Sequence, residues 1–218
     1  LIILDSFGVS ITPIIASLGL GSLAIALAVK STLENFVCGM QLVADQPIMV
    51  GHFVKVESGE EGTVEKIGWR STWIKLPTNN IVIIPNSSLV NSKITNYYYP
   101  DRVIIIKAEV GVHYNSDLDR VEKIALEVAN EVMKKVQGGV PSFESVVIYH
   151  TFDTSSINFT VVMQAQEFER GGLIKHEFIK RLHKRFNQEG IVMPYPIRAI
   201  NYEQEKAFER KEENVRFK

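Results

Sequence analysis

Between Ser6 and Val29 the chain places no charged side chain. A helix needs about 20 residues to cross the roughly 30 Å hydrocarbon core of a bilayer. A run of this length therefore limits the fold more than any other feature, because a soluble domain would have to bury such a helix on every side. After Phe7 the run has no aromatic residue and is rich in Gly, Ala and Ser. Small residues suit a helix whose backbone approaches other helices closely within a membrane. The apolar LIIL at positions 1–4 reads as the end of a preceding hydrophobic segment. The pattern predicts no signal peptide, since neither a basic leader nor a cleavage site is evident.

The remainder has the balance of a water-soluble protein. The formal net charge is −1, which offers no basic field for nucleic acid. Cys38 is the single cysteine, so no internal disulfide can form. The five histidines, His52, His113, His150, His176 and His183, show no metal-ligand spacing; His176 and His183 sit among Lys175, Lys180, Arg181 and Lys184 as a solvated basic face. No nucleophile elbow, zinc-protease or P-loop motif is present, and neither an enzyme nor a cofactor is expected. Trp69 and Trp73, beside Arg70, are expected to pack within a β domain.

Thr12-Pro13 reads as a helix start, and the helical pattern continues to about Ala44, with Pro47 as its stop. Its character changes at Lys30. Before it the run is apolar all round; after it STLENFVCGMQLVAD is amphipathic, Lys30 and Glu34 lie four apart, and Gly39 weakens the helix locally. A membrane helix followed by a kinked interfacial helix is expected. Residues 48–100 read as short β alternations, broken by Gly-Glu-Glu-Gly at 59–62 and by Asn79-Asn80, a type I′ hairpin signal. Short strands at this spacing predict a small barrel. From Asp101 the order changes to β-α-β-β-α-β, with helices over about 117–137 and 171–189 and a last strand in IVMPYPIRAINY, the ferredoxin-like arrangement. The charged tail 203–218 reads as weakly structured. The expected domains are therefore 1–45, 46–100, 101–202 and the tail.

Two readings compete for residues 19–28. Gly19-Leu20-Gly21-Ser22-Leu23-Ala24, with Asp45 beyond it, has the outline of a dinucleotide fingerprint. That motif needs further βα units, whereas only strands follow here. The competing reading is helix packing through Gly19, Gly21, Ala24, Ala26 and Ala28. Leu23 and Leu27 share a face and would form two stacked apolar collars in a ring of identical helices. Periodicity alone leaves open whether they face lipid instead.

SLGLGSLAIALAVKSTLENFVCG (17–39) resembles the third transmembrane segment of the small-conductance mechanosensitive channel (MscS-like) family. The likeness continues through EGTVEKIGWRSTWIKL (61–76) and IIPNSSL (83–89) and ends at MPYPIRAINY (193–202). It implies that Leu23 and Leu27 hold the pore-sealing positions, that Lys30-Ser31 falls at the helix kink, that Asn35 matches the motif's Asn, and that Gly39 is the second hinge. Two departures stand out. The kink is Lys-Ser where relatives often have Gln-Gly or Lys-Asp, and Gln46 stands before Pro47 where an Arg is common.

The resemblance further implies a membrane α segment, a small all-β Sm-like barrel and an α+β ferredoxin-like domain. It implies a multi-pass homoheptamer in the cytoplasmic membrane, with lipids, permeating ions and small osmolytes as partners, opened by tension on hypo-osmotic shock. Seven helices at 8–10 Å spacing leave a lumen of roughly 4–6 Å radius, less with leucines pointing inward. An apolar constriction of that size blocks ions by expelling water. The alternatives are a membrane-anchored cytoplasmic binding domain that conducts nothing and, more remotely, a nucleotide-dependent enzyme.

Overall fold

The computed structural model describes residues 12–196, and the chain divides into two compact units at Arg102 and Val103. The expectations for LIIL at 1–4 and for the tail lie outside the described residues. The first unit opens with α1 (Thr12–Asp45), a single helix of 34 residues. At 1.5 Å per residue it is about 51 Å long, well beyond a bilayer core. It runs without a break through Lys30-Ser31 and Gly39. It ends where Gln46 turns left-handed (φ 50°) and bonds its amide to the Leu42 carbonyl at 3.2 Å, just before Pro47.

The strands β1 (Phe53–Val56), β2 (Glu61–Ile67), β3 (Ser71–Lys75), β4 (Ile81–Pro85) and β5 (Ile94–Asn96) form one antiparallel sheet of order β4-β3-β2-β1-β5. β4 and β5 are its edges. Alternation sends Val54, Val56, Val64 and Ile74 inward, where they meet Leu89, Ile48 and Leu42 of α1. The long helix is thus rooted in the β core by its last turns.

Two local expectations are corrected. Asn79 is left-handed (φ 67°), but Asn80 is not, and a type I′ turn needs both. The β3–β4 connection is instead a three-residue loop, Pro77-Thr78-Asn79, closed by Asn79 N–Leu76 O (2.9 Å) and Leu76 N–Asn80 O (2.8 Å). Residues 86–90, read as part of a β region, form a short helix, α2 (Asn86–Val90). Pro85 cannot extend the ladder, and a Pro-Asn-Ser-Ser run is a helix-start signal that the apolar strand before it masks.

The second unit contains β6 (Ile104–Val112), α3 (Leu118–Lys135), β7 (Val146–Phe152), β8 (Ile157–Ala165) and α4 (Phe168–Glu189). Its antiparallel sheet has the order β6-β8-β7, the split arrangement expected for this element sequence. The inward residues of β8, from Ile157 to Ala165, alternate strictly. They pack against Val121, Ala125, Val128 and Val132 of α3 and Ile174, Phe178, Leu182 and Phe186 of α4. α4 starts three residues before the expected position because Gly171 is a packing residue, not a breaker: a Cβ there would lie 3.3 Å from Ile104 Cδ1. The expected last strand is not seen in 191–196, which is irregular; its remainder lies outside the described residues.

Candidate functional site: the long helix and its seat

The inner end of α1 is held by a compact polar cluster. Asn86 and Thr72 are fully buried. Asn86 Oδ1 accepts from Thr72 Oγ1 at 2.9 Å, while its Nδ2 donates to Gly68 O at 2.9 Å and to Asn35 O of α1 at 3.4 Å. Its backbone N–H reaches Arg70 O at 3.0 Å. Every hydrogen-bonding atom of the side chain is therefore used, as a buried amide requires.

Asn35 completes the cluster from the other side. Its Oδ1 accepts from Ser87 N and Ser87 Oγ, both at 3.0 Å, and its Nδ2 donates to Ser31 O at 2.8 Å. Pro85, at the N-cap of α2, has no side-chain oxygen to offer the first turn. Asn35 supplies that acceptor from another helix, satisfying an N–H that would otherwise lack a partner. Gly39, one turn on, is buried: a Cβ there would lie 2.6 Å from Asn86 Nδ2 and 3.0 Å from Trp69 O. The glycine lets α1 lie directly on the 68–70 turn and on Asn86.

The outer part of α1 is the opposite. Residues 15–34 are all exposed, Leu23 by 57% and Leu27 by 65%. A Cβ at Gly19 or Gly21 would meet nothing within 4 Å. Leu23, Leu27, Ala24, Ala26, Ala28, Lys30 and Ser31 likewise stand on this exposed stretch, and the described residues give no packing reason for its small residues. α1 is, among the described residues, the one helix long and apolar enough to cross a membrane.

Several sequence-level features acquire a place. The fingerprint-like Gly19–Ala24 lies mid-helix and lacks the strand-to-helix turn a dinucleotide site needs. Trp69 does not pack as expected: the residue is 61% exposed, and its carbonyl is what faces Gly39. Trp73 is at the margin of exposure, with Lys66 Nζ over it at 5.7 Å. Among the described residues no group of three or more His, Cys, Asp or Glu is placed to hold a metal. His52 is buried beside Asn96, whose Nδ2 donates to Pro47 O at 2.9 Å and so also donates to His52 Nδ1 at 3.0 Å. Burial, then the Arg102 guanidinium, lowers the pKa of His52 below its ordinary value. Asn86, Ser87, Thr72 and Gly68 were not singled out by the sequence; the signal available for the first two was the helix-start composition of Pro85–Ser88.

A membrane-length helix rooted in an antiparallel β sheet and followed by an α+β unit fits a membrane protein with folded domains built onto its spanning segment. Residues 1–30 match the family profile "Mechanosensitive ion channel, transmembrane helices 2/3", residues 31–99 the "beta-domain" profile, and residues 106–193 "Mechanosensitive ion channel MscS, C-terminal". The small-conductance mechanosensitive channel MscMJ of Methanocaldococcus jannaschii is 32% identical over 93% of this chain, which spans 57% of that protein. The small-conductance mechanosensitive channel of Helicobacter pylori is 30% identical over 89% of the chain and 69% of its own length. A crystal structure of H. pylori MscS in its closed state superposes with a TM-score of 0.76 at 28% identity, covering 92% of this chain and 77% of that one. The chain belongs to the MscS family of mechanosensitive ion channels.

Proposed function

We propose that this chain forms the pore-lining helix and cytoplasmic portion of a channel opened by membrane tension, which releases ions and small osmolytes on hypo-osmotic shock. The observation that carries the reading is the contrast along α1: an outer stretch, uncharged as far as Val29 and exposed among the described residues, continuous with an inner stretch locked to the β domain. Homologues named as mechanosensitive channels support it.

In this reading identical copies, seven by family resemblance, pack their outer stretches through Gly19, Gly21, Ala24, Ala26 and Ala28. Leu23 and Leu27 face the lumen and hold it dry. The lumen lies within the cytoplasmic membrane, with lipid on the outside of the full multi-pass protein, and the β and α+β units lie in the cytoplasm. Tension favours the state of larger in-plane area, so tilting the helices outward widens the ring and rewets it. Lys30, Ser31, Asn35 and Gly39 absorb the change in direction. Of these, Asn35 and Gly39 also tie the helix to α2 and the 68–70 turn, so α1 movement and the β domain are coupled.

The test is patch recording, under suction, of the full-length protein in liposomes. Weakly selective stretch-activated current supports the reading. Leu23→Ser or Leu27→Ser should then open at lower tension or leak. Silence of the wild type, with a ligand bound by the cytoplasmic units, favours a membrane-anchored binding protein; wild-type thresholds in both serine variants reject the leucine gate.

A further inference from the structure

We propose that His52 is a pH-sensitive latch on the exit of α1: neutral, it helps hold the chain between the helix and the β core, and protonated, it lets that chain go. The proposal rests on the pore reading above and adds to it a second input to gating, a proton at the cytoplasmic face.

The connection on which the latch acts is short. α1 ends at Asp45, and Ile48, 1% exposed, already belongs to the β core. Of the two residues between them, Gln46 bonds back to the helix, and Pro47 has only its carbonyl to offer. Asn96 Nδ2 donates to that carbonyl at 2.9 Å and to His52 Nδ1 at 3.0 Å. Asn96 lies on β5 opposite Val54 of β1, so this one amide ties the helix exit to the sheet.

The amide cannot accommodate a second donor by turning over. Its Oδ1 accepts from Tyr98 N at 3.0 Å while its Nδ2 serves Pro47 O, and a flip would lose both bonds. The imidazole is confined as well. His52 is buried, its N–H donates to Met49 O at 3.0 Å, and its carbonyl accepts from Val64 N at 2.9 Å. The Tyr98 ring lies 5.8 Å away, and the Arg102 guanidinium stands 4.9 Å from that ring. Arg102 is the charge that acts on His52, and among the described residues no carboxylate pairs with it. A proton on Nδ1 therefore faces a donor on one side and a like charge beyond Tyr98. The contact left to yield is the one between Asn96 and Pro47.

The other four histidines do not compete for this role. His113, His150, His176 and His183 all lie in the second unit, and none is buried. Burial and Arg102 keep the folded pKa of His52 below its ordinary value, so the latch holds at neutral pH and opens on acidification. In the pore reading, opening tilts α1 against its seat. A hold on Pro47 resists that tilt, and its release lowers the tension required.

The experiment is the opening threshold under suction, in excised patches of the full-length protein, with the solution at the cytoplasmic face stepped from pH 7.5 to 5.0 and back. The wild-type threshold should fall reversibly within one patch. His52→Gln, whose amide accepts from Asn96 at either pH, should keep its threshold. Asn96→Ala should stand at the acid wild-type threshold at both values; should that variant fail to assemble, His52→Gln decides alone. A wild-type threshold that ignores pH, or an equal fall in His52→Gln, overturns the latch and leaves the channel standing. Absence of stretch-activated current in the wild type at both pH values overturns the pore reading, and the latch falls with it.

Discussion

The outer and inner parts of α1 belong to one helix and obey different rules. A Cβ at Gly19 or Gly21 would meet nothing within 4 Å, whereas one at Gly39 would meet Asn86, Trp69 and Gly68. A glycine costs a helix about 1 kcal/mol relative to alanine wherever it sits. At Gly39 the single chain shows what that cost obtains, a close approach of α1 to the β domain. At Gly19 and Gly21 the described residues show no such return. One residue type, in one helix, thus marks a close contact at one end and an open face at the other.

The strongest way to break the inner part is Asn86→Ala. It strips buried partners from Thr72 Oγ1 and Gly68 O. A buried polar group left without a partner costs about 1–3 kcal/mol, and the expected loss is about 2–3 kcal/mol. Chemical unfolding of the detergent-solubilised protein, followed by Trp fluorescence, measures it. A midpoint equal to wild type would mean that the cluster does not hold α1 to its seat.

Gly39→Ala sets the two ends against each other. Alanine gains about 1 kcal/mol of helix propensity, but overpacking costs about 1–3 kcal/mol, so the expected net effect is a loss of about 1 kcal/mol. The steric term wins because two of the three nearest atoms, Trp69 O and Gly68 O, are backbone. Gly19→Ala meets no such atoms among the described residues and should stabilise an isolated helix. If the outer parts pack against one another, the same change should instead loosen the oligomer, read as a smaller species by size-exclusion chromatography with light scattering. A more stable, undiminished oligomer would assign Gly19 to the lipid face.

Much of this was legible in the sequence, for identifiable reasons. The uncharged run determines a membrane-length helix regardless of packing. Strict alternation in β8 and the 3–4 spacing in α3 and α4 place their core faces, because both are local periodicities. What stayed hidden depends on partners distant in sequence. Asn35 and Gly39 read from the sequence only as hinge residues; their contacts with Asn86 and Ser87, some fifty positions away, are not local. The β3–β4 loop was misread because Asn79-Asn80 fits a two-residue turn on composition, while the Lys75–Ile81 register leaves room for Pro77-Thr78-Asn79. α2 was hidden by the apolar strand that runs straight into it.

Asn35→Ala is a smaller test on the same junction. It removes the acceptor of Ser87 N and Ser87 Oγ, a cap worth about 1 kcal/mol, and recovers part of that through the better helix propensity of alanine. The net change in stability should stay below about 1 kcal/mol. Hydrogen exchange resolves it better: the first-turn amides of α2 should exchange faster while those of β2 and β3 hold their rates. Unchanged exchange at Ser87 would remove Asn35 as the cap.

The smallest effect concerns the chain just beyond α1, where Asn96 grips Pro47 O and His52 together. Asn96 Nδ2 is a donor, so His52 Nδ1 must be an unprotonated acceptor, and protonation would set two donors face to face. Burial and Arg102 favour the same neutral form, so the folded pKa lies below the unfolded value of about 6.5. The unfolded chain therefore binds a proton first as pH falls. Stability from this site is complete above about pH 6.5 and is lost progressively below it, down to the folded pKa. The carboxylates with depressed pKa, such as Glu131 and Glu189, lose their contribution only at more acidic pH, which separates the two windows. Thermal melts at pH 7.5 and 5.5 should show a decline in wild type that is shallower in His52→Gln, whose amide carries no titratable proton. Equal declines in both would show that the grip on Pro47, and with it the exit from α1, does not depend on the neutral imidazole.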